Sequence, residues 1–415
     1  VVDGSWFDEA RFGMFVHWGH ASQHGWELSW PLVGGTSVLP ACRPVPTETY
    51  HASASTFSPR HGAPREWAAR AAEAGMGYGV LTARHHDGFS LWPTGWSDHS
   101  IAMTPYGGDL VGEFVEAFRD AGLRVGLYYS LPDWHHPDYP AFRPGDTYQF
   151  IAYPRPDPEA WERYLSYVRG QLTELLSDYG TIDVLWFDGG WERSADEWRT
   201  AEIDRLIRGL QPEILVNDRL PGFGDFESPE QFVPPQPPDR RWETCLTMNR
   251  SWGWVPDDTE WKSARDLTRT LIETAAKGGN LLLNVSPQAD GSLPGPQLDR
   301  LATIGGWMER HPGVIAGTEP GLEPWQFYGP STRRGDSVLL FLLARPYDSV
   351  SVRGVPIRRV RGVRDVATGT SLDHRGRCTV VDELMNPDPM GELTIDVPES
   401  LIDDVCTVIE VDLIA

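Results

Sequence analysis

Short apolar runs alternate with longer stretches of helical period from the start of the chain to about residue 315. The runs fall at 12–19 (FGMFVHWG), 78–84 (YGVLTAR), 124–130 (RVGLYYS), 183–189 (DVLWFDG), 214–220 (ILVNDRL), 241–248 (RWETCLTM) and 280–287 (NLLLNVSP). Each is apolar at nearly every position, the mark of a strand covered on both faces. Between them lie helical patterns starting at Pro64, Asp109, Pro158, Asp196 and Ser263. Several open on an acidic or hydroxyl residue and close on glycine, which supply an N-cap and a left-handed C-cap. Seven strands alternating with helices over about 300 residues predict a (β/α)8-like (TIM) barrel. No G-x-G-x-x-G follows the first strand, which argues against a dinucleotide-binding open sheet.

After about residue 320 the helical period gives way to short alternating runs such as SVLLFLLARP, GELTIDVP and CTVIEVDLIA. These predict a small C-terminal β-sandwich. The Pro- and Gly-rich stretch 311–330 marks the boundary, giving a catalytic barrel over 1–318 and a sandwich over 319–415. A second Pro-rich stretch, 221–242, stands where a helix is expected between the fifth and sixth strands, and reads as a functional, mobile loop. An irregular segment over 41–63 is expected to reach over the site or to serve oligomerisation.

Composition narrows the partners. With 36 basic and 59 acidic side chains the net charge is −23, which disfavours nucleic acid and anionic membrane surfaces. No apolar run reaches membrane-spanning length, and the opening VVDGSWFDEARFG lacks the regions of a signal peptide. A chain that begins at Val1 leaves secreted and cytoplasmic locations both open. Nothing in the sequence points to an oligomeric state. Cys42, Cys245, Cys378 and Cys406 are widely spaced and read as separate thiols rather than a zinc site. The 18 tryptophans fit either core packing or an aromatic sugar-binding cleft.

In such a barrel the site is built at the C-terminal ends of the strands. There the sequence places His17, the pair His85-His86, Tyr128, Trp186, Asp188 and Arg219. Asp188 ends an apolar run and precedes two glycines that admit a close neighbour, which packing alone does not explain. Glycoside chemistry needs a second carboxylate, and the SPEQF segment offers Glu230, with Glu227 as its competitor. Two other readings stand beside this one: a metal site built from His17, His20 and Asp188, and a lectin-like module without turnover.

Seven motifs, in order over residues 6–310, resemble glycoside hydrolase family 29, the retaining α-L-fucosidases: FGMFVHWG, HHDGFSLWPTGWSDHS, GLYYSLPDWHHPDYP, VLWFDGGW, NDRLPGFGDFESPEQF, WETCLTMNRSWGW and KGGNLLLNVSPQADGSLP. The resemblance implies a barrel followed by a β-sandwich and a double-displacement hydrolysis of terminal α-L-fucosyl groups from a fucosylated glycan. It implies no metal and no organic cofactor. It makes Asp188 the nucleophile and Glu230 the acid/base, with His17, His85, His86, Tyr128, Trp186 and Arg219 around the sugar and Trp252 against its methyl group. Glu27, in Trp26-Glu27-Leu28, is the nearest match to a fucose-binding Glu-Trp pair, with the order of the two residues reversed. The segment 31–46 departs from the family pattern and is expected to alter the aglycone side. Two alternatives remain, a carbohydrate-binding pseudoenzyme and an α-L-galactosidase on the same fold. Linkage preference is set by loops outside these motifs.

Overall fold

The barrel wall is a sheet of seven parallel strands in a computed structural model that describes residues 2–33, 42–141 and 153–414. The strands are β1 (Phe12–Val16), β2 (Tyr78–Arg84), β3 (Arg124–Ser130), β4 (Val184–Asp188), β5 (Leu215–Val216), β6 (Glu243–Leu246) and β7 (Asn280–Val285). Their order is β5-β4-β3-β2-β1-β7-β6, so β5 and β6 lie at the two free edges.

That gap is filled by the stretch expected to be a mobile loop. Residues 226–230 run parallel to both edges, bridging Asn217 to Phe226 on one side and Glu227 to Trp242 and Glu230 to Cys245 on the other. The Asp225 amide donates to the Val216 carbonyl, Glu243 to Glu227 and Cys245 to Pro229. The segment is therefore the eighth stave of the barrel, and its backbone is held by bridge hydrogen bonds on both sides. It escapes a pattern search because Pro229 has no N–H to donate, and because each edge is made by isolated bridges rather than a continuous ladder.

The helices before the C-terminal strands are α1 (Ser5–Ala10), α2 (Thr47–Ala52), α3 (Ala63–Glu73), α4 (Leu110–Asp120), α5 (Pro158–Ser177), α6 (Ala195–Trp198), α7 (Thr200–Leu210), α8 (Ala264–Ala276) and α9 (Gly295–Arg310). The expected caps at Asp109 and Ser263 are present, their side chains accepting from first-turn amides of α4 and α8, and Asp157, one residue before the expected start, caps α5 in the same way. The helix expected from Asp196 is broken in two at Arg199, whose φ of 52° is left-handed. The short α6 carries a capping box of Ser194 and Glu197.

Five antiparallel strands, the first at Glu319–Pro320 and the last at Thr407–Leu413, and a second sheet of three strands make the C-terminal sandwich. It sits on the outside of the barrel against α8 and α9. The Trp307 indole donates to the Cys406 carbonyl at 2.9 Å, Arg269 to that of Val405 at 3.1 Å, and Arg310 pairs with Asp403 at 3.0 Å. The four cysteines are free thiols. Among the described residues no helix is long and apolar enough to cross a membrane.

Candidate active site

Period-two alternation decides which strand residues reach the barrel interior. On β4 it sends Val184, Trp186 and Asp188 inward, and Leu185 and Phe187 outward to the helices. Val184 and Trp186 belong to an interior cluster with Phe15, Tyr128, Cys245, Trp252 and Leu282, whereas Leu185 and Phe187 pack in the sheet–helix layer. The same rule separates Tyr128 from Tyr129. An irregularity in β2 between Thr82 and Arg84 turns Arg84 toward Tyr129, Tyr167 and Asp133, beneath α5.

Asp188 closes β4 at the catalytic end. One carboxylate oxygen accepts from Arg219 Nη1 at 2.8 Å and the other from the Tyr128 hydroxyl at 2.7 Å. The second oxygen also lies 3.6 Å from His86 Nε2. Burial by itself raises the Asp188 carboxyl, but the Arg219 charge, His86 and these hydrogen bonds outweigh it and hold the group down at about 2. The glycines that follow have the expected use. A side chain at Gly190 would stand 2.1 Å from the Arg219 carbonyl, and one at Gly189 would meet the ring of Pro132 at 2.4 Å.

Arg219 joins the two carboxylates. While Nη1 serves Asp188, Nη2 donates to Glu230 Oε2 at 2.8 Å, and its guanidinium carbon rides 4.5 Å over the Trp186 ring. Asp188 and Glu230 thus stand one guanidinium apart, the first buried and the second about two-fifths exposed. Glu227 faces elsewhere and pairs with Arg240 at 3.2 Å. Trp186, stacked on Tyr128 and donating from Nε1 to Glu243 at 3.0 Å, is a buried floor beneath Arg219.

Three imidazoles complete the wall. His17 Nδ1 meets Asn284 at 2.7 Å, His85 Nδ1 meets Ser29 at 2.5 Å and His86 Nδ1 meets Ser130 at 2.6 Å, leaving Nε2 of each for another partner. Burial pushes His17 and His85 down to about 3 and His86 to about 4, so all three are neutral at ordinary pH. His20 is not with them. It bonds Ser53 and faces Asp87 at 3.4 Å, so the trio of His17, His20 and Asp188 is not assembled as a metal site.

Glu27 is buried, and its two oxygens accept from the backbone amides of Trp252 and Gly253 at 2.6 and 2.9 Å. It acts as a clamp on the loop that presents Trp252, whose ring lies 4.9 Å from His17. Asn284 fixes the same loop through the Trp252 carbonyl at 2.8 Å. Burial raises the Glu27 carboxyl from 4.5 to about 8 against the pull of the two amides. The folded chain therefore keeps a proton between those values that the unfolded chain has lost, and stability falls as pH rises through that window. Glu27→Gln should flatten this slope. It should also lower stability by about 1–3 kcal/mol, because an amide side chain offers only one acceptor oxygen to two buried N–H groups. Urea unfolding of both proteins at about pH 5 and about pH 8 checks this; equal slopes would remove Glu27 as the titrating group.

Sequence reasoning missed Asn284, Ser29 and Ser130, which orient the imidazoles. Only Asn284 carried a signal, as a polar residue at an inward position of an apolar strand. Of the segment 31–46, residues 34–41 lie outside the described ones. In the segment 41–63, Tyr50 on α2 donates to Asp87 at 2.8 Å, which packs this stretch beside the site.

Comparison with known proteins gives a consistent result. A family model described as Alpha-L-fucosidase matches residues 3–312. The chain is 34% identical over 339 residues to the tissue alpha-L-fucosidase of Mus musculus, covering 76% of this chain and 72% of that protein. Over 375 residues it is 30% identical to the Homo sapiens tissue enzyme, covering 83% and 77%. Among solved structures it is similar to alpha-L-fucosidase isoenzyme 1 from Paenibacillus thiaminolyticus, with a TM-score of 0.86, 36% identity and coverage of 99% and 98%. It is also similar to a trapped covalent intermediate of a fucosidase from Bacteroides thetaiotaomicron, with a TM-score of 0.82, 25% identity and coverage of 99% and 95%.

Proposed function

The chain belongs to the alpha-L-fucosidase family, glycoside hydrolase family 29, and we propose that Asp188 is its catalytic nucleophile and Glu230 its general acid/base. The protein is a retaining glycoside hydrolase that removes α-L-fucosyl groups from fucosylated substrates. The observation that carries the residue assignment is Arg219, which holds one carboxylate on each terminal nitrogen.

In the first step Asp188 attacks the anomeric carbon while Glu230 protonates the departing glycosidic oxygen. In the second, Glu230 takes a proton from water, which attacks the same carbon and frees Asp188. The nucleophile must be ionised, and Arg219 and Tyr128 keep it so. Neutral His17, His85 and His86 can each donate to or accept from a sugar hydroxyl through Nε2. Fucose has a methyl group where L-galactose carries a hydroxymethyl, and Trp252 supplies an apolar wall for it. No step passes through a metal or an organic cofactor. The C-terminal sandwich, which we place at 319–415, acts as a cover rather than as a glycan-binding module.

Release of 4-nitrophenol from its α-L-fucoside tests this reading. Turnover that EDTA leaves unchanged and that exceeds turnover of the α-L-galactoside is expected. Binding of fucose without turnover would favour the pseudoenzyme, and loss with EDTA would favour a metal mechanism. A further expectation concerns Arg219. Arg219→Met removes the largest influence that opposes burial of Asp188 and leaves only His86 and Tyr128, so the acid limb of kcat/KM should climb from near 2. A pH profile of kcat/KM reads this directly; a limb that stays put would mean that another group holds Asp188 ionised.

A further inference from the structure

A second histidine cluster lies beside the site and takes no part in the reaction described. His51 lies in the last turn of α2, His99 in the loop after β2 and His135 in the loop after β3. Each offers a ring nitrogen within 4.8 Å of those of the other two. The His99 and His135 rings stack 4.0 Å apart, and His51 meets His135 at 4.6 Å. His51 Nδ1 and His99 Nε2 are buried without a hydrogen-bond partner. An unpaired polar atom of this kind is costly unless something else fills the role. We propose that His51, His99 and His135 form a binding site for a borderline-soft divalent transition metal of the Zn²⁺ class, which ties α2 to two loops on the rim of the catalytic face.

The chemistry is suitable. Three imidazoles and a water satisfy a tetrahedral zinc-type ion, whose ligand nitrogens stand about 3.4 Å apart, and the exposed His135 has the freedom to close that distance. Burial lowers His51 to about 4 and His99 to about 3, so both present the neutral ring a metal needs. The charged neighbours favour a cation: the carboxylates of Asp87 and Asp133 act on His51, and Asp87 also acts on His99. Among the described residues the further titratable rings packed on the trio are His20, 6.0 Å from His99, and Tyr50, 5.6 Å from His51. The other grouping of possible ligands, His85, His86 and Asp188, is a poor rival. Its carboxylate already carries the Arg219 guanidinium at 2.8 Å on one oxygen and the Tyr128 hydroxyl at 2.7 Å on the other.

The ion would hold loop positions and would not touch the sugar. Trp134, the neighbour of His135, packs 4.9 Å from His86, so the clamped loop adjoins the sugar-binding wall. The test uses the full-length, tag-free, metal-stripped protein titrated with CoCl₂. One Co²⁺ per chain with intense tetrahedral bands in the visible, displaced by ZnCl₂, is expected. His99→Ala and His135→Ala should each weaken binding at least about tenfold, with fucoside turnover retained as a check on folding. Should His99→Ala fail to fold, the exposed His135→Ala carries the test alone. No saturable visible spectrum, a spectrum unaffected by these variants, or one lost in Asp188→Asn would overturn the proposal.

Discussion

Asp188→Ala is expected to lower kcat on 4-nitrophenyl α-L-fucoside by about 10⁴-fold or more while the protein keeps its fold. The loss follows from position. Asp188 is the buried carboxylate at the inward end of β4, held ionised by Arg219 and Tyr128, and no other carboxylate takes its place. Removing a buried anion that already bears the Arg219 charge leaves that guanidinium with Glu230 as its remaining carboxylate partner, so some destabilisation is expected as well. The decisive readout is chemical. Azide added to Asp188→Gly should enter the vacated space and attack the anomeric carbon from the face the carboxylate used, giving the β-fucosyl azide. Recovery of turnover without that product would place the nucleophile elsewhere.

Glu230→Ala has a different signature, because its two tasks depend differently on the leaving group. Substrates with a poor leaving group, such as a fucosylated oligosaccharide, should lose about 10²–10⁴-fold in kcat/KM, whereas the nitrophenyl fucoside, which hardly needs a proton, should lose far less. Azide should now yield the α-fucosyl azide, since it replaces the activated water in the second step. Glu227→Ala should change either substrate by no more than about twofold, its carboxylate being paired with Arg240 on the exposed side. An equal loss for both leaving groups in Glu230→Ala would remove it as the acid.

The strands most easily read from sequence were those buried on both faces. β2, β3 and β7 appear as unbroken apolar runs, and their inward residues follow from alternation. The clustering of His17, His85, His86, Tyr128 and Asp188 was legible because barrel topology brings strand ends together whatever their distance along the chain. The eighth stave was not. Its five residues include a proline and two carboxylates, and only the exposed edges of β5 and β6 reveal that it completes the wall. Glu27 shows a second limit. The family resemblance made it a sugar ligand, and its contacts with two backbone amides far along the chain are encoded by no local pattern. His51, His99 and His135 likewise become neighbours only through the packing of α2 against two loops.

The most direct test of the central assignment is to trap the intermediate with 2-deoxy-2-fluoro-fucosyl fluoride, digest the inactivated protein and locate the added sugar by mass spectrometry. The fluorine slows both steps and the good leaving group rescues the first, so the covalent species should accumulate. The account predicts one fluorofucosyl group per chain, on the peptide containing Asp188. A label on Glu230, on Glu227 or on any other residue would contradict it.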